Sequence, residues 1–114
     1  MATFSKVNFS AGTDGLPIKV VQTATAGTLI HTAHATALDE IWLYAYNGHT
    51  ADVVLTVEYG GATVPDQNII ISIPTKAGLT LVVPGLLLTN SKTLRAFAAT
   101  ANVITLSGYI NRIA

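Results

Sequence analysis

From Leu38 to Tyr46 the chain alternates without a break, with Ile41, Leu43 and Ala45 on one side and Trp42, Tyr44 and Tyr46 on the other. A period of two marks an extended strand, whose successive side chains point to opposite faces. The second face is aromatic rather than charged, so both faces need cover. The same period returns over 52–59, where Val53, Leu55, Val57 and Tyr59 share a side, and at Ile69, Ile71 and Ile73. It returns again at Leu79, Leu81 and Val83, and over 102–113, where Ile104, Leu106 and Ile110 oppose Thr105, Ser107, Tyr109 and Asn111. Runs at 18–22, 28–33 and 94–99 complete the set. No stretch keeps a helical spacing of apolar residues. Short strands of this kind bury one face against a second sheet, so the pattern predicts an all-β fold, an antiparallel, jelly-roll-like β-sandwich of about eight strands.

Turn residues divide the strands. Asn47-Gly48 predicts a hairpin between 38–46 and 52–59, with a linker longer than a two-residue turn. Pro74 stops the isoleucine strand, and Pro84-Gly85 is expected to end the strand that begins at Leu79. Gly108 fits a bulge or a close backbone approach. Pro17 opens the first strand of the main body, a position that suits a residue with no N–H to give. Residues 1–16 are polar and close on Asp14-Gly15; they read as an N-terminal arm or a docked edge strand, with Phe4, Val7 and Phe9 as apolar anchors. Residues 17–114 then form one sandwich domain, with no internal repeat and no linker.

Composition changes what the surface of that sandwich must be. Hydrophobic residues make up 50% of the chain and charged ones 11%, against roughly 25% charged in an ordinary soluble domain. Six basic and six acidic residues cancel, which leaves little repulsion between copies. Neutral hydroxyl and apolar surface is buried at small cost compared with charge, so the chain reads as a subunit of a larger assembly. Lys6, Lys19, Lys76, Lys92, Arg95 and Arg112 are scattered, with no basic cluster to neutralise phosphates, and nucleic acid is not an expected partner. The start, MATFSKVNFSAGTDG, has neither the basic end nor the apolar block of a secretory signal, which predicts a protein that stays in the cytoplasm where it is made. The apolar run from Leu79 to Leu88 is interrupted and shorter than the roughly 20 residues a membrane helix needs, so no membrane is expected. Cysteine is absent, which removes disulfides and thiolate metal sites.

The residues that could carry chemistry are few. His31 and His34 fall on opposite faces of an extended strand and His49 in a loop, so they read as ordinary strand-end and loop histidines, with no metal or cofactor expected. Asp39 and Glu40 are adjacent and point apart, unlike the converging carboxylates of glycoside hydrolysis; they are expected to mark the solvated start of a strand. A serine–histidine–aspartate set could assemble from distant loops, but there is no nucleophile elbow and no glycine-rich phosphate loop, and no enzyme is expected. That leaves the aromatic row. Trp42 either fills the sandwich interior or belongs to a contact surface that stacks on sugars or on another protein. The interface candidates are Phe4, Phe9, Trp42, Tyr44 and Tyr46.

The segments PIKVVQTATAGTLIHTA, DEIWLYAYNG, VVLTVEYGG, VVPGLLL and LRAFAATANVITLSGYINRI resemble those of small virion proteins of tailed bacteriophages, over nearly the whole chain from Pro17 onward. The resemblance implies a capsid decoration, or cement, protein: a β-sandwich on the virion capsid surface that ties subunits of the major capsid protein together, often as a homotrimer. It assigns no role to any single residue. Two alternatives stay open, a tail, fibre or neck structural protein and a glycan-binding host-recognition module.

Overall fold

In the computed structural model, which describes residues 3–114, the alternating runs become two antiparallel sheets. The strands are β1 (Phe4–Val7), β2 (Ile18–Lys19), β3 (Thr28–Thr32), β4 (Leu38–Asn47), β5 (Val53–Tyr59), β6 (Asn68–Ile73), β7 (Thr80–Leu88), β8 (Thr93–Ala98) and β9 (Ile104–Ile113). One sheet runs β1-β9-β4-β7 with β2 also on β9, and the other runs β3-β8-β5-β6. Among the described residues there is no helix.

Among the described residues nine strands stand where about eight are expected, because the first is broken. β1 pairs Phe4 to Val7 with Ile113 to Ile110, and β2 continues down the same edge of β9, pairing Ile18 and Lys19 with Leu106 and Thr105. Counted as one interrupted strand, the pair gives the two four-stranded sheets of a jelly roll. Thus Phe4–Val7 of the predicted arm pair on the sandwich edge, while its residues 1 and 2 lie outside the described residues. Between β1 and β2 the chain leaves the sheet and Phe9 drops into the core.

The core lies between the sheets and follows the predicted parity. Ile41, Leu43 and Ala45 of β4 and Ile104, Leu106 and Ile110 of β9 face Leu55 and Val57 of β5 and Leu94, Ala96 and Ala98 of β8, all fully buried.

Three local expectations are corrected. β4 and β5 do not form a hairpin: β4 pairs with β7 and β9, and β5 with β6 and β8. Both edges of β4 are taken, so β5 meets it face to face across the core. Asn47 holds the crossing, its Nδ2 donating to the carbonyls of Ala51 and Ile73, each at 2.9 Å, while its Oδ1 accepts from the His49 amide at 2.8 Å. Pro84-Gly85 does not end a strand, because β7 runs through it as a bulge, with a second register shift between Leu43 and Tyr44 of β4. Those two insertions also undo the alternation of β7. Neighbours Val82 and Val83 are both buried, whereas Leu79 and Leu81 are exposed.

Candidate functional site

The outer face of the five-stranded sheet can be read off its register. Phe4, Ile113 and Leu38 form the first row; Lys6, Asn111 and Glu40 the second; Tyr109 and Trp42 the third; Ser107 with Tyr44, then Lys19 and Thr105 with Tyr46, the last two. Strand alternation puts all of them on the side away from the core. Trp42 is therefore outside the sandwich interior.

Trp42 is held flat by its neighbours. Its ring stacks on Tyr109 at 6.3 Å between centroids and 17° between planes. Its Nε1 donates to Glu40 Oε1 at 2.5 Å, and Asn111 Nδ2 donates to the same oxygen at 3.2 Å. Those bonds hold the Glu40 carboxyl below the ordinary carboxylate range. Lys6 Nζ sits 4.6 Å from the centre of the Tyr109 ring, a favourable cation–π distance. Two glycines make this possible. Gly85, at φ +80°, lies under the indole, where a Cβ would come 2.8 Å from Cζ2, and a Cβ on Gly108 would sit 2.0 Å from the Trp42 carbonyl oxygen.

The five interface candidates separate. Phe4 is 74% exposed, Tyr46 is exposed at 36%, and Trp42 and Tyr44 are half-buried, all on this one face. Phe9 is a correction: at 5% exposure its ring is committed to the core, edge-on to His31. A shallow groove of about 450 Å³ opens at the first two rows, lined by Phe4, Ser5, Lys6, Glu40, Asn111 and Ile113. The outer face of the other sheet is partly covered, because the chain before β3 folds over it. There Glu58 is buried and accepts from Thr25 Oγ1 at 2.8 Å and the Gly27 amide at 2.6 Å.

Sequence reasoning missed the polar cluster inside the sandwich. Asp39 is fully buried rather than solvated. Its Oδ1 accepts from Arg112 Nε at 2.7 Å, and its Oδ2 from Arg112 Nη2 at 3.0 Å, His31 Nε2 at 2.8 Å and the His34 amide at 3.2 Å. Burial alone raises the carboxyl pKa, but these donors outweigh it and bring it down to about 2. The Ser10 amide donates to His31 Nδ1 at 3.0 Å, so the ring hydrogen sits on Nε2 and points at Asp39. Ser10, His31 and Asp39 thus form a line of the residue types of a nucleophile relay. The Ser10 hydroxyl is turned elsewhere, accepting from the Thr32 amide at 2.7 Å. With both ring nitrogens engaged and the ring buried, the line ties the two sheets together rather than activating an oxygen. The missed signal was parity, since Asp39 keeps step with Ile41 and Leu43, and Arg112 with Ile110.

No protein family, curated protein or solved structure matches the chain.

Proposed function

We propose that the protein is a head-decoration protein of a tailed bacteriophage, made in the host cytoplasm and bound as homotrimers to the major capsid protein on the virion surface. It acts by contact and not by catalysis. The observation that carries the proposal is the outer face of the five-stranded sheet, where an aromatic row is held flat and the charged groups beside Trp42 and Tyr109, Glu40 and Lys6, are engaged within the face, with exposed Lys19 in its end row. Such a surface loses little on desolvation and gains apolar area and ring contacts when a protein covers it. Binding only to the assembled shell stabilises that shell by mass action, so each copy need contribute little. The resemblance of the strand segments to phage virion proteins points the same way. Purified particles test it: the protein should be found on intact heads by mass spectrometry and electron microscopy, and Trp42→Ala should weaken its rebinding to stripped heads. Its absence from intact virions rejects the proposal.

A second reading is favoured by one observation, the groove beside Trp42 and Tyr109 with Lys6, Glu40 and Asn111 at its wall. Aromatic rings next to polar groups suit a sugar, which would make the protein a host-recognition module on a tail or fibre. Glycan-array binding that is lost in Trp42→Ala supports this second reading against cementing.

A further inference from the structure

The sandwich has two lateral sides, and they are finished differently. On the side of β3, Ser10 and Ala11 close the edge: the Ala11 amide donates to the Ile30 carbonyl at 3.1 Å, and Ser10 engages both His31 and the Thr32 amide. The other side carries the edges β6 and β7. An exposed edge offers unpaired amides and carbonyls to any passing strand, and proteins blunt such edges with charge, proline or bulges. β7 has Pro84 and two register shifts, and β1, on the far edge of its sheet, is short and carries Lys6. β6 has none of these devices. It reads NIIISI and runs along β5 from Asn68 to Ile73 in unbroken register.

The phase of the ladder is fixed at two points. The Ala99 amide takes the Val54 carbonyl on the β8 side, and the Tyr59 amide takes the Gln67 carbonyl on the β6 side. Alternation then turns the amides and carbonyls of Ile69, Ile71 and Ile73 toward β5, and those of Asn68, Ile70 and Ser72 toward the open side. Ile70 is 62% exposed.

We propose that β6 is a self-association edge, pairing antiparallel with β6 of a second copy about a two-fold axis at Ile70 and joining two four-stranded sheets into one. That register sets Ile70 against Ile70 and Asn68 against Ser72, so every outward amide and carbonyl finds a partner. A second copy is the occupant that the flanking charges select. Asp66 precedes β6 and Lys76 follows it, both exposed. Antiparallel pairing brings Asp66 of one copy to the end where Lys76 of the other lies, whereas parallel pairing sets like charges together. The formal net charge of zero adds no repulsion between whole molecules, and a two-fold contact of this kind closes on itself.

Sedimentation equilibrium of the full chain tests the edge, which lies apart from the outer face of the five-stranded sheet and so stands or falls independently of the decoration proposal. The wild type is expected to contain an even number of copies, two if the paired unit is a single chain and six if it is the proposed trimer. Ile70→Lys, on an exposed position, and Ser72→Pro, which removes an amide facing the open side, should each halve the mass, raising the dissociation constant of the two-fold step by about tenfold or more. Unfolding midpoints measured on the dissociated chains should stay near that of the wild type. Asp66→Lys should weaken the step, and Asp66→Lys combined with Lys76→Asp should restore it. A wild type that is monomeric at every concentration overturns the proposal, and so does an assembly whose mass is the same in the wild type and in both β6 variants.

Discussion

Asp39 of β4 and His31 of β3 meet at 2.8 Å across the interior, so one carboxylate joins the two sheets while Arg112 grips it within its own sheet. Removing one member of such a buried pair leaves the others without compensation, which is worse than never having had the pair. Arg112 keeps some access to water, which softens the loss.

Asp39→Ala is therefore expected to destabilise the fold by about 3 kcal/mol in urea unfolding, and Arg112→Ala by less. A loss below about 1 kcal/mol for Asp39→Ala would place the linkage between the sheets elsewhere.

The same carboxylate sets an acid limit. Its folded pKa of about 2 lies below the ordinary 3.8, so ionised Asp39 stabilises the native state fully above pH 3.8, and that contribution is lost as pH falls toward 2. The contribution is on the order of 2 kcal/mol. Unfolding midpoints measured in steps through this window should fall more steeply for the wild type than for Asp39→Asn. Parallel profiles for the two proteins would rule out Asp39 as the source.

Parity carried most of what the sequence could tell. Ile41, Leu43 and Ala45 inward with Trp42, Tyr44 and Tyr46 outward is the arrangement found in β4, because an uninterrupted strand has no other way to dispose its side chains. Where an extra residue enters, as at Gly85 and Val82 in β7, parity flips locally and the pattern misleads. Pairing partners were beyond it. The stretch after Asn47 looks like a hairpin turn until β9 and β7 are known to occupy both edges of β4. Asp39 was legible and overlooked, since its position in the inward series conflicted with the habit of placing charge outside. Phe9 could not be placed, as nothing local says that the chain between β1 and β2 turns inward.

Gly85 is expected to tolerate no side chain. At φ +80° an L-residue is strained, and a Cβ there meets the Trp42 ring at 2.8 Å. Gly85→Ala should destabilise by about 2 kcal/mol, half from the backbone and half from the displaced indole. In a Trp42→Ala background the second part should vanish, which a double-mutant cycle measures directly. Full additivity in that cycle would mean that the ring does not rest on the bulge.

Tyr59 offers the opposite sign. Its hydroxyl is buried with no hydrogen-bond partner among the described residues, and burial pushes its pKa up beyond the ordinary range. Tyr59→Phe removes the unpaired group and keeps the ring, so thermal unfolding should show a gain of about 1 kcal/mol. A loss of similar size would reveal a partner for the hydroxyl.

Trp42 is the sole tryptophan, which makes its emission a private reporter of the outer face. Half-buried against Tyr109 and Gly85, it should emit at an intermediate wavelength in the free protein and shift to the blue when a partner covers the face. Association through β6 alone leaves Trp42 wetted, so dilution across the two-fold step should not move the band. Rebinding to stripped phage heads should move it, and because the charged side chains nearest Trp42, Lys6 and Glu40, are already engaged and Lys19 stands alone in the end row, the shift should persist from about 0.05 to 0.5 M salt, where exposed ion pairs are progressively screened. A band that moves on self-association but not on heads would assign the aromatic row to contacts between copies. Binding that disappears at high salt would mean that charge, rather than the neutral aromatic surface, holds the complex.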